Sequence, residues 1–312
     1  MKLVYFCVGN EEYVDVMCST LTLVKKHNPL ADFFIVGDIY NDNLINKIKK
    51  FNIKLYQCDY HKIYKYAQKR WPSQCFWWYA MPDIFYKKGY KFSCLVDGDI
   101  YCYKKINLNF LNDNFDIAAI TTPKEKWNYK QWWSSLVFLN NKKLSEKKFF
   151  EKSIKIYNIV SSMEYPGKQL NDQHVLNGFL PDNMFHNTIK RNTNIELNII
   201  PLELNFNWSY LLINYKNRND NDEKISFDEL KEKIIFLHLA STKPWNTLEN
   251  MGGSHKNFLQ KYKEKKTNKS FEASAIKFVN MWRKDVREYV LPISNVFDEN
   301  SLTHININKH IL

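Results

Sequence analysis

The sequence predicts an α/β fold, a mostly parallel sheet flanked by helices with a mainly helical C-terminal extension. Two observations carry this expectation. In the first third, short apolar runs alternate with stretches of helical periodicity, the pattern of right-handed β-α-β crossovers. The run from Phe92 to Tyr101 reads as a buried strand that ends abruptly in two carboxylates, Asp97 and Asp99. The bulk composition agrees: 45% of the 312 residues are hydrophobic, enough for a large core, and 8 Gly and 9 Pro exclude a low-complexity chain.

The elements follow in order. Leu3 to Val8 is an apolar strand, and Glu11 to Lys26 carries Val14, Met17, Leu21 and Val24 at helical spacing. Phe33 to Val36 is a second strand, closing on Gly37-Asp38. Asn43 to Phe51 reads as helix and Ile53 to Tyr56 as a third strand. Cys75 to Lys88 is an aromatic-rich helix that Pro82 starts or interrupts, and it leads into the Asp97–Asp99 strand. Ile117 to Ile120 and Ser135 to Leu139 are strand-like, and Glu146 to Ser162 is helical. The last clear strand is Lys233 to His238. From about Phe258 the chain reads as polar helices and a tail, with Phe278, Met281, Trp282 and Val286 on one face. There is no internal repeat. The expected division is a catalytic domain over 1–257 and the extension over 258–312.

Charge and cysteine usage narrow the setting. The net charge is +12, from 45 Lys and Arg against 33 Asp and Glu. The lysines are scattered, with denser runs at Lys142-Lys143, Lys147-Lys148 and Lys261 to Lys269. Such a surface suits anionic substrates, anionic membranes or nucleic acid, or serves solubility alone. The six cysteines lack C-x-x-C spacing and several sit in apolar runs, as reduced core thiols do. The apolar N-terminus is too short for a signal peptide, and no run reaches the ~20 apolar residues of a bilayer span. A cytoplasmic protein is therefore expected. The face Trp282-Arg283-Lys284 leaves two readings open, helix packing or peripheral contact with a membrane.

Three polar clusters stand at strand ends or in the loops beyond them. The first is Asp97 with Asp99. Burying unpaired carboxylates is costly, so the triplet is either a solvated turn or a site for a hard divalent cation such as Mn2+ or Mg2+. The second is Asn171-Asp172-Gln173-His174-Val175-Leu176-Asn177, where Asp172-Gln173 could equally cap the following helix. The third is His238 followed by Lys243-Pro244-Trp245. A neutral imidazole can complete a two-carboxylate metal site, and a nearby lysine can meet a phosphate.

In this order the clusters resemble the family-8 glycosyltransferases, retaining, nucleotide-sugar-dependent enzymes of the Rossmann-like GT-A fold. The likeness runs from the first strand to about Trp245. Val4 to Tyr13 looks like the family's uridine-binding opening, which implies that Tyr13 stacks on the base and that the backbone of Cys7, Val8 and Gly9 lines the pocket. Leu95-Val96-Asp97-Gly98-Asp99 is similar to its D-x-D strand, and Asp172 to Asn177 to its D-Q-D-x-L-N loop. Leu204 to Trp208 and His238…Lys243-Pro244-Trp245 resemble its later elements. The resemblance implies metal ligation by Asp97, Asp99 and His238, phosphate contact by Lys243 and sugar contacts by Asp172. Gln173, a poor nucleophile, would act as an oriented dipole beside same-face attack. The donor implied is a UDP-hexose, and the acceptor a hydroxyl of a glycan, lipid-linked sugar or protein.

Departures from the family pattern are also legible. Trp133-Ser134-Ser135 stands where the family has N-S-G. Aromatic residues around Trp77-Trp78-Tyr79 replace a basic residue, and His174 takes the third position of the D-Q-D loop. Trp127, Tyr129, Trp132, Trp133 and Trp208 are either core or an aromatic platform for an acceptor. A nucleotidyltransferase is the alternative enzyme, but Gly9-Asn10-Glu11-Glu12 offers no glycine-rich phosphate loop. A basic nucleic-acid-binding protein is the non-enzymatic alternative, and nucleic acid is not the expected partner.

Overall fold

A computed structural model describes residues 2–38, 40–67, 72–122, 131–162, 171–179, 197–202, 208–209, 228, 231–232, 234–239, 245, 269–297 and 302. At its centre lies strand β1 (Leu3–Val8), parallel to β2 (Asp32–Gly37) on one side and to β4 (Phe92–Val96) on the other. β3 (Lys54–Gln57) continues the parallel set beyond β2. The crossovers are α1 (Val14–His27), α2 (Asp42–Lys50) and, after a 3-10 helix at Ser73–Ala80, α3 (Met81–Lys87). Leu3 through Cys7 and all five residues of β4 are buried, as expected of strands covered on both faces.

The sheet turns mixed beyond β4. The long strand β7 (Gln131–Asn140) lies antiparallel between β4 and β6 (Ile117–Thr122), and β8 (Ile199–Pro201) adds in parallel to β6. The seven strands run β3-β2-β1-β4-β7-β6-β8. The register of β6 on β7 shifts between Ala119 and Ile120, a bulge that adds twist.

The helix expected over Glu146 to Ser162 is α5 (Phe149–Ser162), and a further short helix, α4 (Asn141–Glu146), precedes it. Lys148 separates them at φ 53°, the left-handed conformation that terminates a helix. A short helix α6 (Asp172–Gly178) follows. Its Val175 and Leu176 join Trp77, Trp78, Tyr79, Phe149 and Tyr157 in one aromatic-rich core cluster.

The chain divides into two compact units that interleave along the sequence. One comprises Met1–Leu21, Leu30–Asp97 and Asn107–Glu203, and the other Thr22–Pro29, Gly98–Ile106 and Leu204–Leu312. The second holds a three-stranded sheet of β5 (Ile100–Cys102), β10 (Phe236–His238) and β9 (Trp208–Ser209), ordered β5-β10-β9, and helix α7 (Lys269–Tyr289). Phe278, Trp282 and Val286 of α7 are buried as the periodicity predicts. Trp282 packs on Trp245 and Phe297, and Arg283 is buried as well, so this face serves helix packing. Asp285 accepts hydrogen bonds from Lys26 Nζ (3.1 Å) and Tyr101 Oη (2.8 Å). No helix among the described residues is long and apolar enough to cross a membrane. All six cysteines are free thiols, and Cys7, Cys18, Cys94 and Cys102 are buried.

Candidate active site

The carboxylate triplet sits at the carboxyl end of β4. The Asp97 N–H donates to the Ser135 carbonyl of β7 (2.9 Å), which fixes where the strand stops. Gly98 then carries the chain into β5. Antiparallel pairing of β5 with β10 places His238 opposite Ile100, and the Leu239 N–H donates to the Asp99 carbonyl (2.8 Å). That register brings His238 Nε2 to 3.0 Å from Asp99 Oδ1, with His238 only 8% exposed. Asp97 is tied to Asp99 by a single residue, and ligand atoms of Asp97, Asp99 and His238 all lie within 4.8 Å of one another. Two carboxylates and an imidazole are a donor set that fits a hard to borderline divalent ion.

The sugar-facing candidates are held just as firmly. Asn171, not Asp172, is the N-cap of α6. Its Oδ1 accepts from the His174 N–H and its own N–H donates to His174 Nδ1, both at 3.2 Å. His174, a departure from the family pattern, thus closes a capping box. Asp172 is freed from capping: its Oδ2 accepts from Trp78 Nε1 (3.0 Å), its carboxylate also accepts from Ser134, and its carbonyl accepts from Tyr79 Oη (2.7 Å). Burial pushes the Asp172 carboxyl above the usual range, opposed by the Ser134 and Trp78 hydrogen bonds. Burial, with Asp172 and Asp97 nearby, also pushes the Cys75 thiol upward. Trp78 and Ser134, which hold Asp172, lie in two of the stretches that depart from the family-8 pattern.

Asn177 anchors the other end of the same helix. Its Oδ1 accepts from the Trp132 N–H (2.8 Å), and its Nδ2 donates to the Trp132 carbonyl (2.9 Å) and to the Gln173 carbonyl (2.7 Å). Trp132 itself is buried, so it belongs to the core and not to an acceptor platform. Trp127, Tyr129, Lys243 and Leu204 to Asn207 lie outside the described residues.

At the end of β1, Cys7 is buried while Val8 and Gly9 are partly exposed. Gly9 spends its N–H on Val36 (3.1 Å), and its carbonyl accepts from Tyr40 Oη (2.7 Å). A Cβ at Gly9 would come within 3.0 Å of Met17 Sδ. Tyr13, 46% exposed, keeps a ring face available.

Comparison with known proteins places this architecture. No protein-family model and no curated protein matches the chain. Among solved structures it is similar to the glycosyltransferase GlyE of Streptococcus pneumoniae TIGR4, at 17% identity and TM-score 0.53, over 83% of this chain and 60% of that one. It is similar to the galactosyltransferase LgtC in complex with donor and acceptor sugar analogs, at 14% identity and TM-score 0.55, over 83% of this chain and 94% of LgtC. The bifunctional glycosyltransferase WbbM aligns at 12% identity and TM-score 0.52, over 93% of this chain and 52% of WbbM. The fold is that of the GT-A glycosyltransferases. The chain spans nearly all of LgtC but little more than half of GlyE and WbbM.

Proposed function

We propose that this protein is a metal-dependent, retaining glycosyltransferase that moves a hexose from a UDP-sugar to a hydroxyl of a glycan, lipid-linked sugar or protein. The observation that carries the reading is the grouping of Asp97, Asp99 and His238 at the carboxyl end of β4, on a fold of this kind. Those three residues would hold Mn2+ or Mg2+, which when bound supplies positive charge to the diphosphate of the departing nucleotide. Lys243 adds a second cation toward the same phosphates. Tyr13 offers its exposed ring to the base, at the strand end formed by Cys7, Val8 and Gly9.

Asp172 accepts hydroxyls of the donor sugar, held in place by Trp78, Ser134 and Tyr79. Gln173 lies beside it with its carbonyl tied to Asn177. A carboxamide is a weak nucleophile, so Gln173 orients and polarises while the acceptor hydroxyl attacks on the leaving-group face. Same-face attack retains configuration without a covalent sugar intermediate.

The test is a thermal-shift screen of UDP-sugars with and without Mn2+, followed by transfer assays on the hits. At a ligand concentration of about 100 Kd, mass action stabilises by about 2.7 kcal/mol, a shift of roughly 4 °C in a chain of this size. Asp97→Ala and Asp99→Ala are each expected to remove the Mn2+-dependent part of the shift and to abolish transfer. Full transfer by both variants would overturn the metal assignment.

A further inference from the structure

We infer that the amino edge of the seven-stranded sheet, opposite Asp97, docks on an anionic bilayer surface. The inference goes beyond the transfer reading and does not depend on it. The parallel strands all begin at this edge, with Leu3 of β1 beside Phe92 of β4 and Val4 beside Asp32 of β2. Lys2 precedes β1, Lys54 opens β3 and Lys91 precedes β4. The helices that return to the edge end in lysine too, α2 at Lys50 and α3 at Lys87. Antiparallel β7 brings Asn140 back to Phe92 and passes into α4, which carries Lys143.

Three carboxylates of the edge are already taken. Asp32 accepts from Lys54 Nζ (2.6 Å), Asp113 from Lys91 Nζ (2.9 Å) and the buried Asp116 from Lys147 Nζ (2.6 Å). Lys2, Lys50 and Lys87 are exposed and make no ion pair among the described residues. Positive charge is therefore left over. Helix C-termini favour cations through their dipole, which accounts for Lys50 and Lys87 one helix at a time. Strand ends carry only small dipoles, so the same effect does not account for the lysines at the strand starts.

Two apolar side chains stand out among these charges. Leu30, in the turn that leads into β2, is 101% exposed, and Tyr86, beside Lys87 in the last turn of α3, is 40% exposed. The combination fits lipid. Ammonium groups meet anionic headgroups, Leu30 enters the acyl boundary, and Tyr86 lies at headgroup level. A nucleic acid offers the charge but no apolar phase for Leu30. Docking by this edge leaves the opposite one clear: β4 has 5 residues, so at about 3.3 Å per residue Asp97 stands about 17 Å farther from the lipid.

The experiment is co-sedimentation of the full chain with vesicles of phosphatidylcholine alone, and of phosphatidylcholine with phosphatidylglycerol, at low and high salt. The unaltered protein is expected to bind the anionic vesicles about a hundredfold more tightly than the neutral ones, and more weakly as salt rises. Lys2→Gln, Lys50→Gln and Lys87→Gln together should lower that affinity about a hundredfold. Leu30→Ser alone should lower it about tenfold and leave its salt dependence unchanged. Lys62→Gln with Lys65→Gln, exposed positions past the carboxyl end of β3, should change it by no more than about twofold. Equal binding to both kinds of vesicle, or binding to neither, would overturn the inference. So would a loss in the Lys62 and Lys65 pair as large as in the triple variant, which would reduce the effect to net charge. Single-stranded RNA is titrated against the same proteins. If RNA binds as tightly as anionic lipid and Leu30→Ser is neutral toward both, the edge belongs to nucleic acid and the inference fails.

Discussion

Replacing Trp78 by Phe isolates one hydrogen bond to a buried carboxylate. The indole N–H donates to Asp172 Oδ2 at 3.0 Å, and Phe keeps an aromatic ring in the stack with Tyr79 and Phe149. A hydrogen bond to a charged group is worth about 1.5–3 kcal/mol, and one pKa unit corresponds to about 1.4 kcal/mol. The bond stabilises only the carboxylate form, so its loss should raise the Asp172 pKa further. Burial already holds that pKa above the ordinary carboxylate value of 3.8. The sign follows from linkage: a raised folded pKa means that charging Asp172 costs stability as pH rises through it, and that the cost is absent below 3.8. Trp78→Phe should therefore destabilise more at pH 7 than at pH 4, the difference approaching about 1.5–3 kcal/mol, with the smaller ring's packing loss common to both. Urea unfolding of both proteins across that range measures it. In transfer assays, the acid limb of the pH profile should move upward with it. A stability loss independent of pH would refute the claim that Trp78 supports the charged form of Asp172.

Other perturbations follow from the geometry. Asn177→Ala leaves the Trp132 N–H and carbonyl unpaired in the interior and should cost about 2 kcal/mol or more by urea unfolding; a loss below 0.5 kcal/mol would show that α6 is held by packing alone. Gly37→Ala should destabilise strongly, and the double variant with Tyr40→Phe should recover only part of the loss, because the ring Cζ of residue 40 and the Gly9 carbonyl, 2.8 Å away, still crowd the new Cβ. Full recovery would assign the whole constraint to the Tyr40 hydroxyl. His238→Gln removes one ligand of three and should weaken Mn2+-dependent stabilisation by UDP while leaving the metal-free melting temperature within a few degrees. Unchanged Mn2+ dependence would remove His238 from the metal set.

The parallel half of the sheet was legible because β1, β2 and β4 are unbroken apolar runs separated by helical periodicity. The antiparallel insertion of β7 was not, since strand direction leaves no trace in an apolar run. Lys148 hid a helix break because a lysine seldom takes the left-handed conformation. At the site, donor chemistry and the resemblance grouped Asp97, Asp99 and His238, while the β5–β10 register that brings His238 beside Asp99 leaves no mark in the sequence. The partners of Asp172 were invisible: Trp78 is 94 residues away and lies in an aromatic stretch that reads only as core. The resemblance marked His174 as a departure, and only the capping geometry gives it a purpose.

The Asn177 amide meets the backbone of Trp132 as a neighbouring peptide would, donor to carbonyl and acceptor to N–H. In effect a single side chain splices α6 onto the edge of β7 as if it were one more strand residue. The position of Asp172 and Gln173 is thereby set by a joint that touches neither of their side chains. Sequence around those two residues is free to drift while the joint keeps the helix in register. Glutamine cannot substitute for it, because one extra methylene carries the amide past the two groups it bridges.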